Sequence, residues 1–194
     1  EAVASRMVDW ETLQTLLDYA KDLDAHDIKS EVDAIYANRL LLEEPNRMET
    51  LTNQAAQILR KALNFNHERY SDVYQFLMLE LGKDTAWQKL SDDQKSAILE
   101  SLEIASVPAI ATGTVDEIME SLDAISLKTW YFRYESLPSL FEQARLKAVQ
   151  LTEPKAKGVA FPRRTLQTEN DARQWLTDVE AILLEKIKEG PVVV

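Results

Sequence analysis

Apolar residues recur every three or four positions along most of the chain, a pattern that predicts amphipathic helices. Met7, Trp10, Leu13, Leu17, Ala20 and Leu23 make one stripe, in a helix expected from Ala4 to about Asp24. Ile28, Val32, Ile35, Tyr36 and Leu40 make a second, which must stop near Pro45, because proline lacks an amide proton and disfavours helix in the residue before it. Together they predict a helical hairpin. Met48, Leu51, Ala55, Ile58, Leu59 and Leu63 form a third stripe. Tyr70, Val73, Tyr74, Leu77, Met78 and Leu81 form a fourth, ending at Gly82, and the two read as separate helices of ordinary length.

Capping chemistry marks the next starts. Ser91 with Gln94, and Thr114 with Glu117, have the spacing in which a hydroxyl accepts the third helical amide while the acid or amide side chain reaches back. The first predicts a helix through Ile98, Leu102 and Ile104, and the second a helix through Ile118, Leu122 and Ile125. An aromatic run follows, Trp130-Tyr131-Phe132-Arg133-Tyr134, and Pro138 suits the first turn of another helix carrying Leu140, Ala144 and Val149.

After Leu151 the character changes. Thr152 to Gly158 has the composition of a linker, Val159-Ala160-Phe161 fits a short strand, and Thr168 with Asp171 opens a strongly periodic helix. Gly190 and Pro191 end that helix, and Val192-Val193-Val194 fits a second strand, parallel to the first with the helix packed over both. The expected architecture is mainly α: a multi-helix bundle of helical hairpins over residues 1–151, then a linker and a small C-terminal strand-helix-strand unit over 152–194 packed on it.

Composition narrows the function classes. Basic residues number 22 and acidic 33, for a formal net charge of -11, which repels phosphate backbones and anionic lipid over the molecule as a whole. The absence of cysteine excludes disulfides, thiolate catalysis and Cys-based metal sites and fits a cytoplasmic setting. No apolar run approaches the roughly 20 residues of a membrane span, so no membrane partner is expected. The start at Glu1 and the apolar finish read as an excised carboxy-terminal piece of a longer protein.

The search for chemistry leaves no catalytic residue, no cofactor-binding residue and no metal ligand. Leu81-Gly82-Lys83-Asp84-Thr85 lacks the earlier glycine of a phosphate loop and has Asp84 where a hydroxyl belongs, so a helix end is the better reading. Asp22, Asp24, His26, Asp27, Glu31 and Asp33 alternate like calcium ligands but lack the glycine such a loop needs, which leaves a solvated turn. With only His26 and His67, neither a zinc helix nor a hydrolase triad has its parts. Two features carry binding hypotheses. Lys155, Lys157, Arg163 and Arg164 form a basic run in an acidic chain, a candidate contact for nucleic acid or an acidic partner. Trp130, Tyr131 and Tyr134, with Phe132, cannot all be buried by one helix face and are candidate interface anchors.

A series of short matches in the last third carries a family resemblance. Leu122-Asp123, Leu127-Lys128-Thr129-Trp130, Leu137-Pro138, Phe141-Glu142-Gln143-Ala144, Glu153-Pro154-Lys155-Ala156, Leu166-Gln167-Thr168, Trp175-Leu176 and Gly190-Pro191-Val192 follow in an order that resembles the C-terminal end of the large P-loop ATPases of BREX bacteriophage-resistance systems, the BrxC/PglY-like family. The resemblance covers roughly residues 112–194. It implies that ATP and Mg belong to upstream parts of the parent protein, and that this fragment serves phage defence through assembly or contacts with other BREX proteins, or through self-association. A nucleic-acid contact module using the basic linker and a free-standing helical adaptor are the other two expectations.

Overall fold

Several helices start or stop at a side chain or a backbone motif that satisfies their unpaired amides and carbonyls. The computed structural model describes the backbone of residues 2–42, 45–152, 157–188, 190 and 192–193, and the side chains of these except 2–4, 157, 158 and 193. Eight helices lie among the described residues: α1 (Ala2–Tyr19), α2 (His26–Asn38), α3 (Arg47–Gly82), α4 (Thr85–Gln88), α5 (Asp92–Ser101), α6 (Val115–Ala124), α7 (Leu127–Thr152) and α8 (Glu169–Ile187). The protein is mainly helical, as the periodicity predicts. No helix of the described residues is long and apolar enough to cross a membrane.

Three capping boxes form as their spacing requires: Ser91 with Gln94 on α5, Thr114 with Glu117 on α6 and Thr168 with Asp171 on α8. A fourth start has a simpler device. The Asp84 carboxylate accepts from the Ala86 and Trp87 amides at 2.8 and 3.0 Å and so begins the short α4 just past Gly82. The residue that breaks the phosphate-loop pattern is therefore a helix cap.

Two helices stop through the same motif without a glycine. Arg39 and Glu103 both adopt φ 57°, the left-handed conformation. Behind them the amides of Leu40 and Ile104 bond back to the carbonyls of Ile35 and Leu99. Ile104 is buried, so an apolar residue anchors the reversal where glycine would ordinarily permit it. This explains why α5 ends at Ser101, short of the Ile104 that its periodicity includes.

Two expected breaks are absent. The third and fourth stripes belong to the single helix α3 of 36 residues. Nothing between Leu63 and Tyr70 is a glycine or proline, and the Asn66 side chain bonds the Ala62 carbonyl inside the helix instead of interrupting it. Pro138 lies inside α7, whereas the sequence suggested a new helix there. The proline forfeits one backbone bond and crowds the preceding turn. A buried stripe of Trp130, Leu137, Phe141, Ala144 and Ala148 on both sides of it outweighs that cost.

The chain divides into two compact units, residues 1–74 with 107–136 and residues 75–106 with 137–194, so the division falls inside α3 and inside α7. The first unit has a core of α1, α2, α3 and α6 residues that includes Leu13, Leu16, Ile35, Leu59 and Ile118, each at most 1% exposed. Arg60 ties α3 to the start of α6 by donating to the carbonyls of Thr112 and Gly113. The second unit buries Leu81, Trp87, Leu90, Ile98, Leu137 and Phe141. There Lys147 donates to the Ser101 hydroxyl at 2.7 Å, and Arg145 lies 3.6 Å from Asp84. The segment from 152 onward, expected as a separate linker and strand-helix-strand unit, is grouped in this second unit.

The strand expected over Val159-Ala160-Phe161 is not formed. Two residues earlier, β1 (Lys157–Gly158) pairs in parallel with β2 (Val192–Val193), a contact of two residues on each side and too short to count as an independent sheet.

Candidate functional site

Two of the four residues of the basic run, Arg163 and Arg164, have described side chains. Arg164 lies 3.7 Å from Asp178 of α8, so its charge is partly spent within the chain. Arg163 is exposed, with no ion pair among the described residues. Lys157 lies in β1 with its side chain outside the described residues, and Lys155 lies wholly outside them. Trp175 of α8 donates its indole N–H to the Pro162 carbonyl at 2.8 Å, which holds the segment before Arg163 against that helix.

The aromatic run divides by helical geometry. Trp130 is completely buried, with Tyr70 and His67 meeting it edge-on at 5.4 and 5.6 Å, so it is a core residue and not an interface anchor. Its indole nitrogen finds no hydrogen-bond partner among the described residues. Tyr134 is half-buried under the Arg69 guanidinium, 3.7 Å from the ring centre. Tyr131 and Phe132 point outward, 49% and 57% exposed. Burial also raises the Tyr70 and Tyr74 hydroxyls above the ordinary tyrosine pKa.

The serines and histidines have structural tasks. Ser121 both accepts from the Ala111 amide and donates to the Ala111 carbonyl, and Ser136 donates to the Arg133 carbonyl. His26 opens α2 in solvent. The acidic residues from Asp22 to Asp33 occupy the α1–α2 turn and the α2 surface, and no three His, Asp or Glu side chains among the described residues are grouped as metal ligands.

One polar contact escaped the sequence reading because its partners lie far apart in the chain. Tyr19 at the end of α1 donates a short hydrogen bond to the Asp123 carboxylate of α6. That bond, with some burial and the adjacent negative charge, pushes the phenol up to about 12. Tyr19 also lines a cleft of 770 Å³, together with Lys21, Leu122, Ser126, Lys128 and Tyr131. The cleft mixes both charges, with Asp18 and Asp22 beside Lys21 and Lys128.

Two apolar surfaces remain. The helix α8 has no buried residue, although Ala172, Trp175, Val179 and Ile182 are spaced along one face, and Leu176, Leu184 and Ile187 are 59%, 56% and 54% exposed. In the first unit, Met7 and Trp10 of α1 face Ile35 and Tyr36 of α2 across a groove of 350 Å³, which Arg39, Leu41 and Leu42 complete. Periodicity had assigned Met7 and Tyr36 to buried stripes, yet they are 43% and 76% exposed. Comparison of the chain with protein-family models, with curated proteins and with solved structures finds no match.

Proposed function

We propose that this chain is a non-catalytic helical module that works through protein contacts, as the C-terminal part of a BREX-type P-loop ATPase in phage defence. The observation that carries the contact reading is α8, a helix of 19 residues with apolar residues on much of its surface and none of them buried. Exposed apolar surface of this extent is characteristic of surfaces that meet another protein. The order of short matches over residues 112–194 supports the family part of the reading. Nucleic-acid contact is the weaker alternative, because Arg164 is already paired with Asp178 and the chain carries a net charge of -11.

The test is gel filtration of the chain with the purified BREX proteins encoded beside it. Co-elution that is lost in a Leu176→Asp, Leu184→Asp double variant is the expected result. Failure to co-elute with any of them, together with a monomer by light scattering at all concentrations, overturns it.

A further inference from the structure

We infer that the Trp175–Asp178 side of α8 is a docking site for an extended basic segment of a partner protein, and that residues 159–167 of this chain occupy it as a built-in competitor. The inference rests on the reading of α8 as a contact surface and needs nothing of the family reading.

The occupant is visible because the chain itself supplies one. Residues 159–167 form neither helix nor strand. The β1–β2 pair sets their start beside the strand that follows α8, and the Thr168 cap sets their end at the first turn of that helix. Val159 and Phe161 are half-buried while Ala160 and Pro162 are exposed, the two-residue alternation of an extended segment lying on a surface. Its polar contacts fall on one stripe of α8. Asp171 accepts from the Gln167 and Thr168 amides at 3.3 and 2.9 Å, Trp175 donates to the Pro162 carbonyl at 2.8 Å, and Asp178 lies 3.7 Å from Arg164. Spacings of four and three put Asp171, Trp175 and Asp178 on the same side of the helix.

These contacts define what the site accepts. An indole N–H reads a backbone carbonyl, and a carboxylate reads a basic side chain two residues further on. Any extended segment with an arginine or lysine at that spacing can reproduce them, and the net charge of -11 favours a basic segment over an acidic one. The chain's own segment is held loosely enough to yield. Every residue from Pro162 to Thr168 is exposed, and the Arg164 and Asp178 side chains keep 48% and 37% exposure. Asp178 also accepts from Gln174 of its own helix, and the β1–β2 bridge has only two residues on each side. A neutral hydrogen bond and an exposed ion pair are each weak, and a segment that buries so little opens locally. Its advantage over a partner is its tether, which keeps it at high effective concentration.

The probe is a labelled synthetic peptide with the sequence of residues 159–168, titrated by anisotropy against the intact chain and against a full chain in which residues 159–166 are replaced by glycine and serine. The replaced chain should bind the peptide at least tenfold more tightly. On that background Trp175→Ala and Asp178→Lys should each weaken binding about tenfold, and a peptide with both arginines changed to glutamate should not bind. Equal affinity for the two chains, no binding to a replaced chain that keeps its helicity by circular dichroism, or indifference to Asp178→Lys would each overturn the inference. Should the replaced chain lose helicity, the intact chain decides. It has no cysteine of its own, so spin labels on Arg163→Cys and Glu180→Cys report where the segment lies. Saturating peptide should add a longer-distance population, and an unchanged distance overturns displacement. Short distances between singly labelled copies would assign the site to a second chain's segment and overturn it as well. Because no BREX protein enters these measurements, failure to co-elute with one leaves them intact, and their failure leaves the Leu176 and Leu184 test standing.

Discussion

Two helical segments of the second unit, the end of α7 and the whole of α8, share the same kind of apolar periodicity and differ in how far it is covered. From Leu137 onward α7 buries Leu137, Phe141, Ala144 and Ala148 to 4% exposure or less, and it does so despite Pro138. The helix α8 is better formed by local criteria, with a complete capping box and no proline, yet it fully buries no residue, and Ala172, Trp175, Val179, Ile182 and Leu183 are only half-buried. Periodicity therefore reports that a helix has an apolar face. Whether this chain or another surface covers that face is a separate matter.

The largest effect expected from this contrast lies in core truncation. Leu137→Ala or Phe141→Ala should cost about 3 kcal/mol in urea unfolding, because each leaves a cavity in a packed site, whereas Leu184→Ala should stay within about 0.5 kcal/mol. Equal costs at Leu137 and Leu184 would abolish the distinction between the two helices.

An intermediate effect sharpens the account of the α7 side. Asp84→Ala removes both the acceptor for two α4 amides and the carboxylate near Arg145, and should cost about 1–2 kcal/mol by the same measurement. Asp84→Asn should retain most of the cap and lose less. If Asn proved as damaging as Ala, the ion pair with Arg145 and not the cap would be the main contribution.

The smallest effect concerns the start of α8. Hydrogen bonds from the Thr168 side chain and from the Thr168 and Gln167 amides, with Arg164 nearby, hold the Asp171 carboxyl below the ordinary carboxylate range. Because the folded value is depressed, its stabilisation is present above the unfolded pKa and is lost as pH falls through the folded one. Amide exchange should accordingly show the first turn of α8 loosening below about pH 4, before the buried part of α7 responds. Asp171→Asn should remove that acid-dependent step. Persistence of the step in the Asn variant would assign it to another carboxylate.

How much was legible in the sequence depended on the range of the forces involved. The boxes at Ser91, Thr114 and Thr168 were readable because a cap needs only residues three positions apart. Asp84 was noticed as a misfit in a phosphate loop, and only its bonds to Ala86 and Trp87 revealed the reason. The groove was hidden for the opposite cause. Met7 and Tyr36 obey the core periodicity of α1 and α2, and nothing local distinguishes them from Leu13 or Ile35, which the same helices bury. The aromatic run at Trp130 was visible as an excess that one face could not bury, but its sequence could not say that Trp130 turns inward and Phe132 outward.

The sequence by itself determined that this is a mainly helical protein, where α5, α6 and α8 begin, and that its net charge is -11, since these follow from side-chain spacing and composition. Tertiary structure decided that α3 and α7 run unbroken, that Arg39 and Glu103 turn left-handed, and which apolar stripes lie uncovered. Those outcomes set the burial of distant residues against a local conformational cost of about 1–3 kcal/mol, and that balance exists only once the helices have packed.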